Sequence, residues 1–515
     1  MGESGPKPEG EIKRAAAGGI RLGDDESGGK EGMCWIWGTG ATAELLANAG
    51  WRRLPQGREP GRSDVVIHAS ALTSDGGRLR AGALPAVGEG RSAQLAGGHA
   101  GAWHWNGRAA AVEALPLTEL DRRLTREGFR STLAKGRLEG AGRRKGLAGQ
   151  GTVRGTGRQY AVSVFGLDAP VVRPDPGEHV AARELTRRLG RSSARALYAL
   201  GLELGTVTWE VDGSGRKGVI IGLTPAIGEL DEAGRRSFAE AASAFAARWR
   251  EDAEGNVPAA LIGADPEFVM LAATGRVVPA SRYFAPDERA GCDSVVLHGV
   301  QRWPLAELRP RPAAEPGVLA GRIRRLLQDA AVRTAGAGLR WRAGAMPVPG
   351  LPLGGHLHFS GVALTGERLR ALDNAVALPL RLLEPEGAAR RRPRYGALGD
   401  FRPKPHGGFE YRTPPSWLVS PRLALGVLSL AKLAADNARA LSSCRPLDDD
   451  RMRDAFYGGK LAPLRKAAAS VRAALETLPD YAKYRHAVEP LFEAAAEGRV
   501  WDENADIRRK WRIPE

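Results

Sequence analysis

The chain has 515 residues and a formal net charge of +16, with 43% hydrophobic and 26% charged residues. That is too long for one ordinary core and is the composition of a globular protein of roughly two to four domains. Mean hydropathy is −0.29 and no run of about 18 apolar residues occurs, which excludes an apolar membrane span. The three cysteines (Cys34, Cys292, Cys444) lie far apart without CxxC spacing. They argue against a disulfide framework or zinc ribbon and fit a reducing cytoplasm.

The positive charge is spread along the chain and is mostly Arg. No RNP motif, zinc finger or helix-turn-helix accompanies it, so nucleic acid is not the expected partner; anionic small substrates such as nucleotides would use the same charge. Residues 1–32 are Gly-rich and charged and lack an apolar segment, predicting a disordered lead rather than a secretory signal. A small α/β domain is expected over 33–135. Met33 to Trp37 reads as a strand running into a Gly38–Gly40 turn and a helix over 42–49, and Asp64 to His68 reads as a second buried strand. Gly-x-Gly alone is a weak nucleotide signal, and a tight strand-to-helix turn is the simpler reading. Residues 136–157 are Gly/Arg-rich and read as a linker.

An α+β region follows over 158–250. Tyr160 to Phe165 alternates as a strand does; helices are expected over 179–189, 194–200 and 234–250, with extended segments at 201–210 and 218–222. The stretch Tyr198 to Thr208 loosely resembles the late part of ATP-grasp domains. There a final strand carries a Glu-x-Asn pair on Mg²⁺; Ile221-Gly-Leu-Thr224 supplies no such carboxylate, so the resemblance implies a degenerate copy.

The chemistry concentrates after Ala259. Residues i and i+2 of a strand project to the same face. Asp265 with Glu267, Glu307 with Arg309, His356 with His358 and Glu410 with Arg412 share this spacing, and Pro266, Leu308, Leu357 and Tyr411 suit the opposite, packed face. Each pair alone has a plainer reading: surface ion pairs of little weight, or, for Asp265/Glu267, an edge strand that Pro266 would favour. Four pairs within about 150 residues predict one polar face of one antiparallel sheet. Carboxylates with imidazole make oxygen-rich sites for Mg²⁺ or Mn²⁺, and arginines match phosphate oxygens. The basic stretch from Arg390 to His406, including Arg391, Arg392, Arg402 and Lys404, could cradle phosphates or be a flexible basic loop.

Taken in order, Gly263-Ala-Asp-Pro-Glu-Phe268, Gly291-Cys-Asp293, Ala306-Glu-Leu-Arg-Pro310, Gly355-His-Leu-His-Phe359, Leu372-Asp-Asn374, Arg394-Tyr-Gly396 and Gly407-Gly-Phe-Glu-Tyr-Arg412 with Ser416-Trp417 resemble the phage-type carboxylate–amine ligase (amidoligase) family. That family belongs to the superfamily of glutamine synthetase and glutamate–cysteine ligase. The resemblance covers about 262–421. It implies an α+β fold with a glutamine-synthetase-like antiparallel sheet and helices on one face, a catalytic domain over 259–440, and a helical tail over 441–515.

The resemblance also implies roles. Asp265, Glu267, Glu307, His356 and Glu410 would hold metal; His358, Arg391, Arg392 and Lys404 would bind the nucleotide; Arg309, Arg402 and Arg412 would stabilise the transferring phosphate and the tetrahedral intermediate. Asp293-Ser294 departs from an expected Asp-Gly, which puts a turn in doubt but not the metal site. The implied reaction consumes ATP with Mg²⁺, or Mn²⁺, to activate a carboxylate as an acyl phosphate and join it to an amine on a small molecule or peptide. Two rivals stand beside it: a zinc hydrolase built on His356, His358 and a Glu, and a catalytically inactive basic binding protein.

Overall fold

The computed structural model describes residues 32–61, 63–69, 103–134, 157–174, 180–253, 259–297, 299–405 and 407–514. The expected lead (1–32) and linker (136–157) fall almost wholly outside the described residues, as does His406.

Three sheets organise the described residues. The first is parallel, with strands β1 (Cys34–Trp37), β2 (Arg52–Arg53), β3 (Val65–His68) and β4 (Trp103–Trp105) in the order β2-β1-β3-β4. Gly38 turns the chain out of β1 at φ +105°, and a Cβ there would lie 2.2 Å from the Ala69 carbonyl oxygen. The turn is thus required by close backbone approach. The second sheet is antiparallel: β5 (Arg158–Phe165), β6 (Asp168–Arg173), β7 (Leu204–Val211) and β8 (Gly218–Thr224), in the order β6-β5-β7-β8. Trp105, Phe165, Phe238 and Phe245 join the two sheets and the helix Glu232–Ala253 in one aromatic core.

One expectation fails here. The helices predicted over 179–189 and 194–200 are one continuous helix, Val180–Ala199. Gly190 does not interrupt it: a Cβ at that position would sit 2.9 Å from the Ala169 Cβ, so the glycine serves close packing of the helix on β6.

The third sheet has eight strands: β9 (Leu261–Leu271), β10 (Val277–Val278), β11 (Ala290–Leu297), β12 (Val300–Leu308), β13 (Arg340–Arg342), β14 (Gly355–Ser360), β15 (Phe401–Pro403) and β16 (Phe409–Tyr411). Its main path runs β11-β12-β9-β14-β16-β15, with every neighbouring pair antiparallel. The strands carrying the four paired motifs are therefore consecutive neighbours. The edge-strand reading of Asp265/Glu267 is corrected, since β9 is central. Pro266 is tolerated because the Glu267 N–H points to the β14 side, donating to the Gly354 carbonyl (3.0 Å). Donors alternate along a strand, so the one Pro266 lacks would face β12, where that ladder has already ended at Glu267.

One face of this sheet buries Ala264, Phe268, Met270, Leu357 and Phe359 in a core shared with the helices Pro316–Arg333 and Pro421–Asp436. That core takes in Tyr198 and residues from Ala260 to Ile513, including the helices Leu461–Glu476, Tyr481–Ala496 and Ile507–Trp511. The other face is polar along the middle of β9 and turns apolar at Val269 and Leu271. Among the described residues, no helix is long and apolar enough to cross a membrane.

Candidate active site

The alternation of β14 sets the site. Leu357 and Phe359 are buried in the core, while His356 and His358 project to the polar face. Register does the rest: His356 lies opposite Asp265, His358 opposite Glu410, Glu267 opposite Glu307, and Arg402 opposite Glu410.

Two clusters of donor atoms result. Asp265, His358 and Glu410 form one, and Glu267, Asp293 and Glu307 form the other; within each, one donor atom per residue lies within 4.8 Å of its partners. Asp265 and Glu267 place the clusters about 7 Å apart along β9. In the first cluster, His358 Nε2 is 2.9 Å from Asp265 Oδ2, and His356 Nδ1 is 3.1 Å from Asp265 Oδ1 and 3.4 Å from Glu410 Oε1. Asp265 Oδ1 is buried and accepts no well-aligned hydrogen bond despite that close imidazole. Burial would raise the Asp265 carboxyl, but the facing His356 and His358 outweigh it and hold it far below the usual range. His356 is pulled the other way: burial opposes its protonation, and Asp265 and Glu267 raise it overall.

The second cluster is dominated by negative charge. Glu267 is 5% exposed. Burial pushes its carboxyl up to about 7, against His356 and the Gly354 N–H that donates to Oε2 (2.6 Å), and Asp293 and Asp265 push it further. Ser416 donates to the Glu267 carbonyl (2.5 Å) and Trp417 to the Gly355 carbonyl (2.9 Å), fixing the backbone around both strands.

Basic groups line the β15–β16 edge. Arg402 (3.3 Å), Lys404 (2.6 Å) and Arg412 all bond Glu410. Burial and Asp265 oppose ionisation of Glu410, yet Arg412, Lys404 and His356 hold it below its ordinary value. Arg412 also faces Asp400 at 3.8 Å. On the opposite rim Arg309 pairs with Glu307 and donates to the carbonyls of Glu288 (3.0 Å) and Cys292 (3.3 Å).

The structure therefore brings together Asp265, Glu267, Glu307, His356, His358, Glu410, Arg309, Arg402, Lys404 and Arg412. It does not bring Arg392 to them. That guanidinium is buried in a two-armed pair with Glu384 (2.5 and 2.7 Å) and stacks on Phe456. The nucleotide-binding expectation for Arg392 is corrected: in a low-dielectric core its charge is already answered by Glu384. Arg391 is also buried. It donates to the Leu353 carbonyl (3.3 Å), next to the Gly354 whose N–H bonds Glu267.

Asp293 joins the site without having been expected there. It pairs with Leu305, two residues from Glu307, and so faces the same side. Its place in Gly291-Cys-Asp was the available signal. The nearest departure from regular pairing is a bulge after Asp293, which re-aims the chain beside the carboxylates.

The donor set fits divalent cations that prefer oxygen: five carboxylates, one imidazole in the first cluster, and an orphaned buried oxygen on Asp265.

No curated protein matches the sequence. Among solved structures, "Apo GmaS without ligand" is similar at 14% identity over 68% of this chain and 96% of that one, with a TM-score of 0.27. "GmaS/ADP complex-Conformation 1" is similar at 15% identity over 69% and 93%, also with a TM-score of 0.27. Likeness that low adds nothing to the reading of the site. Residues 262–513 match the family described as phage phiEco32-like COOH.NH2 ligase-type 2, as the ordered motifs implied, and this part of the chain belongs to that carboxylate–amine ligase family.

Proposed function

We propose that the protein is an ATP-dependent carboxylate–amine ligase that forms an amide or peptide-like bond through an acyl phosphate. The observation that carries the reading is the side-by-side arrangement of two oxygen-rich clusters with three cations gathered on Glu410. Asp265, His358 and Glu410 would hold one Mg²⁺ or Mn²⁺, so that His358 takes the metal role expected of His356, which lies beside Asp265 and Glu410 on the same face; Glu267, Asp293 and Glu307 would hold the other. Such ions neutralise phosphate charge and orient the transferred group.

The chain's own side chains supply the remaining chemistry. Arg402, Lys404 and Arg412 converge on Glu410. A phosphoryl group entering that edge would meet three donors already converged within reach of one point, which favours charge developing in transfer. The acid substrate would attack the γ-phosphoryl, releasing ADP, and the amine would displace phosphate from the acyl carbon. Arg309, on the other rim, is placed to hold a substrate carboxylate or phosphate. Arg391 would act indirectly, as a buried cation whose charge burial and Arg392 oppose and Glu384 and Glu267 favour.

A zinc hydrolase is disfavoured, because a set with one imidazole and two carboxylates beside three carboxylates is harder than zinc prefers. The sheet β5–β8 would be the degenerate ATP-grasp part, contributing structure. The setting we infer is the cytoplasm, with small-molecule or peptide substrates. The test is an ADP-release screen across carboxylate and amine pairs with the full chain. Amine-dependent ADP release that disappears in Glu410→Gln supports the reading; zinc binding with no ATP effect sinks it.

A further inference from the structure

The segment Gly399–Asp400, which leads into the β15 strand of Arg402, meets the helix Val180–Ala199 of the amino-terminal half. The contact is tight. Gly399 has φ +63°, and a Cβ there would lie 2.3 Å from a Tyr198 ring carbon. The Tyr198 hydroxyl donates to Asp373 Oδ2 (2.8 Å), while the Gly399 N–H (3.0 Å) and the Tyr411 hydroxyl (2.6 Å) donate to Oδ1. Tyr411 is the residue between Glu410 and Arg412, so one buried carboxylate ties this helix to the strand that carries the site.

About one turn back on the helix, Arg195 Nη1 lies 3.9 Å from Asp400 Oδ1, and Arg412 Nε lies 3.8 Å from Asp400 Oδ2. Two guanidinium groups, one from each half of the chain, flank a single carboxylate at distances too long for hydrogen bonds. Arg195 stacks on Phe129 at 5.7 Å, and its Nε is buried without a hydrogen-bond partner. Arg191, one further turn back on the same helix face, is exposed. Burial of its stem and the cations Arg402, Arg412 and Arg195 lower its proton affinity while Asp400 raises it, so all four groups are within its electrostatic reach. Five cations (Arg191, Arg195, Arg402, Lys404, Arg412) therefore face two carboxylates, Asp400 and Glu410. Like charges held this close repel, and an incoming polyanion relieves the repulsion.

We infer that Arg191 and Arg195 complete the anion-binding wall of the candidate active site and hold the phosphate chain of a nucleoside triphosphate, so that the site is a composite of both halves of the chain. This rests on the ligase reading of the same site. The amino-terminal half then has a definite role, because its helix, fixed by Tyr198 on Asp373, presents guanidinium donors in place before the nucleotide arrives. Preformed donors cost no reordering on binding.

The test uses the full chain and Mg–ADP as the probe, with binding followed by calorimetry at two salt concentrations. Arg191→Ala, which alters an exposed side chain, and the Arg191→Ala/Arg195→Ala double variant are compared with Arg195→Lys and with Arg236→Ala. Arg236 lies on a different helix, is 70% exposed, and its removal takes away one positive charge without approaching the site. The double variant is expected to bind Mg–ADP at least about tenfold more weakly and with a shallower salt dependence. Arg195→Lys should recover part of the loss, and Arg236→Ala should bind as the unaltered chain does. In turnover, KM for ATP should rise more than kcat falls. A folded Arg191→Ala or double variant with unchanged Mg–ADP affinity overturns the inference while leaving the ligase reading intact. An unaltered chain that binds no Mg–ADP overturns both.

Discussion

Glu267 makes the conflict between stability and chemistry in this site measurable. Its carboxyl is buried beside Asp293 and Glu307 and is pushed up to about 7 from an ordinary 4.5. A group raised in the folded state stabilises the fold fully below its unfolded pKa, and that stabilisation is lost as pH rises through the folded value. At about 1.4 kcal/mol per unit, the metal-free protein forfeits about 3 kcal/mol by pH 8 and less than about 1 kcal/mol at pH 5. Glu267→Gln keeps an oxygen to accept the Gly354 N–H and removes the charge. We therefore predict that, in chelator at pH 8, the variant unfolds at higher urea than the unaltered protein, with the gap nearly closed at pH 5. Added Mg²⁺ should reverse the order: filling the second cluster at about 1,000 times Kd contributes about 4.1 kcal/mol, more than the deficit of about 3 kcal/mol, to a chain that binds the ion there and nothing to one that does not. ADP formation should be absent in the variant throughout. A variant no more stable than the unaltered chain at pH 8 in chelator, or one stabilised equally by Mg²⁺, would refute the assignment.

Asp293→Asn should weaken Mn²⁺ binding at least about tenfold by calorimetry, since affinity follows the charge count of the ligands; unchanged binding removes Asp293 from the second cluster. Glu127 is buried against Arg453 (2.8 Å) and Tyr457 (2.5 Å), joining the amino-terminal half to the helix Asp450–Gly458. Glu127→Ala should cost about 3–5 kcal/mol in urea unfolding by stranding the Arg453 charge, and adding Arg453→Met should restore most of it. Burial raises Asp373 to about 6, against its tyrosine and Gly399 donors. The stabilisation it gives at acid pH is lost as pH rises from about 4 through 6, about 3 kcal/mol in all. Asp373→Asn should flatten that part of the urea midpoint curve, and a curve parallel to the unaltered one would show that the carboxylate titrates elsewhere.

The polar face was legible because period-2 alternation is local. His356-Leu-His358 declares its two sides within three residues, and the burial of Leu357 between two half-buried histidines is what that pattern demands. Relations between strands were less legible. Nothing local places Asp293 beside Glu307, since that depends on the β11–β12 register and its bulge. Arg392 was misread for the converse reason. A run of arginines looks like an open phosphate loop, and only the fold reveals that Glu384, eight residues earlier, has already taken one of them into the core.

The amino-terminal half was the least legible, and for a physical reason. Its contribution to the site comes from a helix face, where Arg191, Arg195 and Tyr198 are spaced as any amphipathic helix spaces its residues. Their partners are Asp400 and Asp373, some 200 residues away along the chain, so no short motif joins them. Gly399 is the residue that permits the meeting, because any side chain there would strike the Tyr198 ring. The sequence shows only a glycine in a basic loop, which is as consistent with a turn as with a docking surface. What distinguishes the two is the Tyr198–Asp373–Tyr411 relay: it fixes the helix to the strand between Glu410 and Arg412, so displacement of the helix is carried to the phosphate edge through the Tyr411 backbone. A shift of the amino-terminal half should therefore change nucleotide affinity before it changes the Glu267–Asp293–Glu307 cluster, which β9, β11 and β12 hold independently of it.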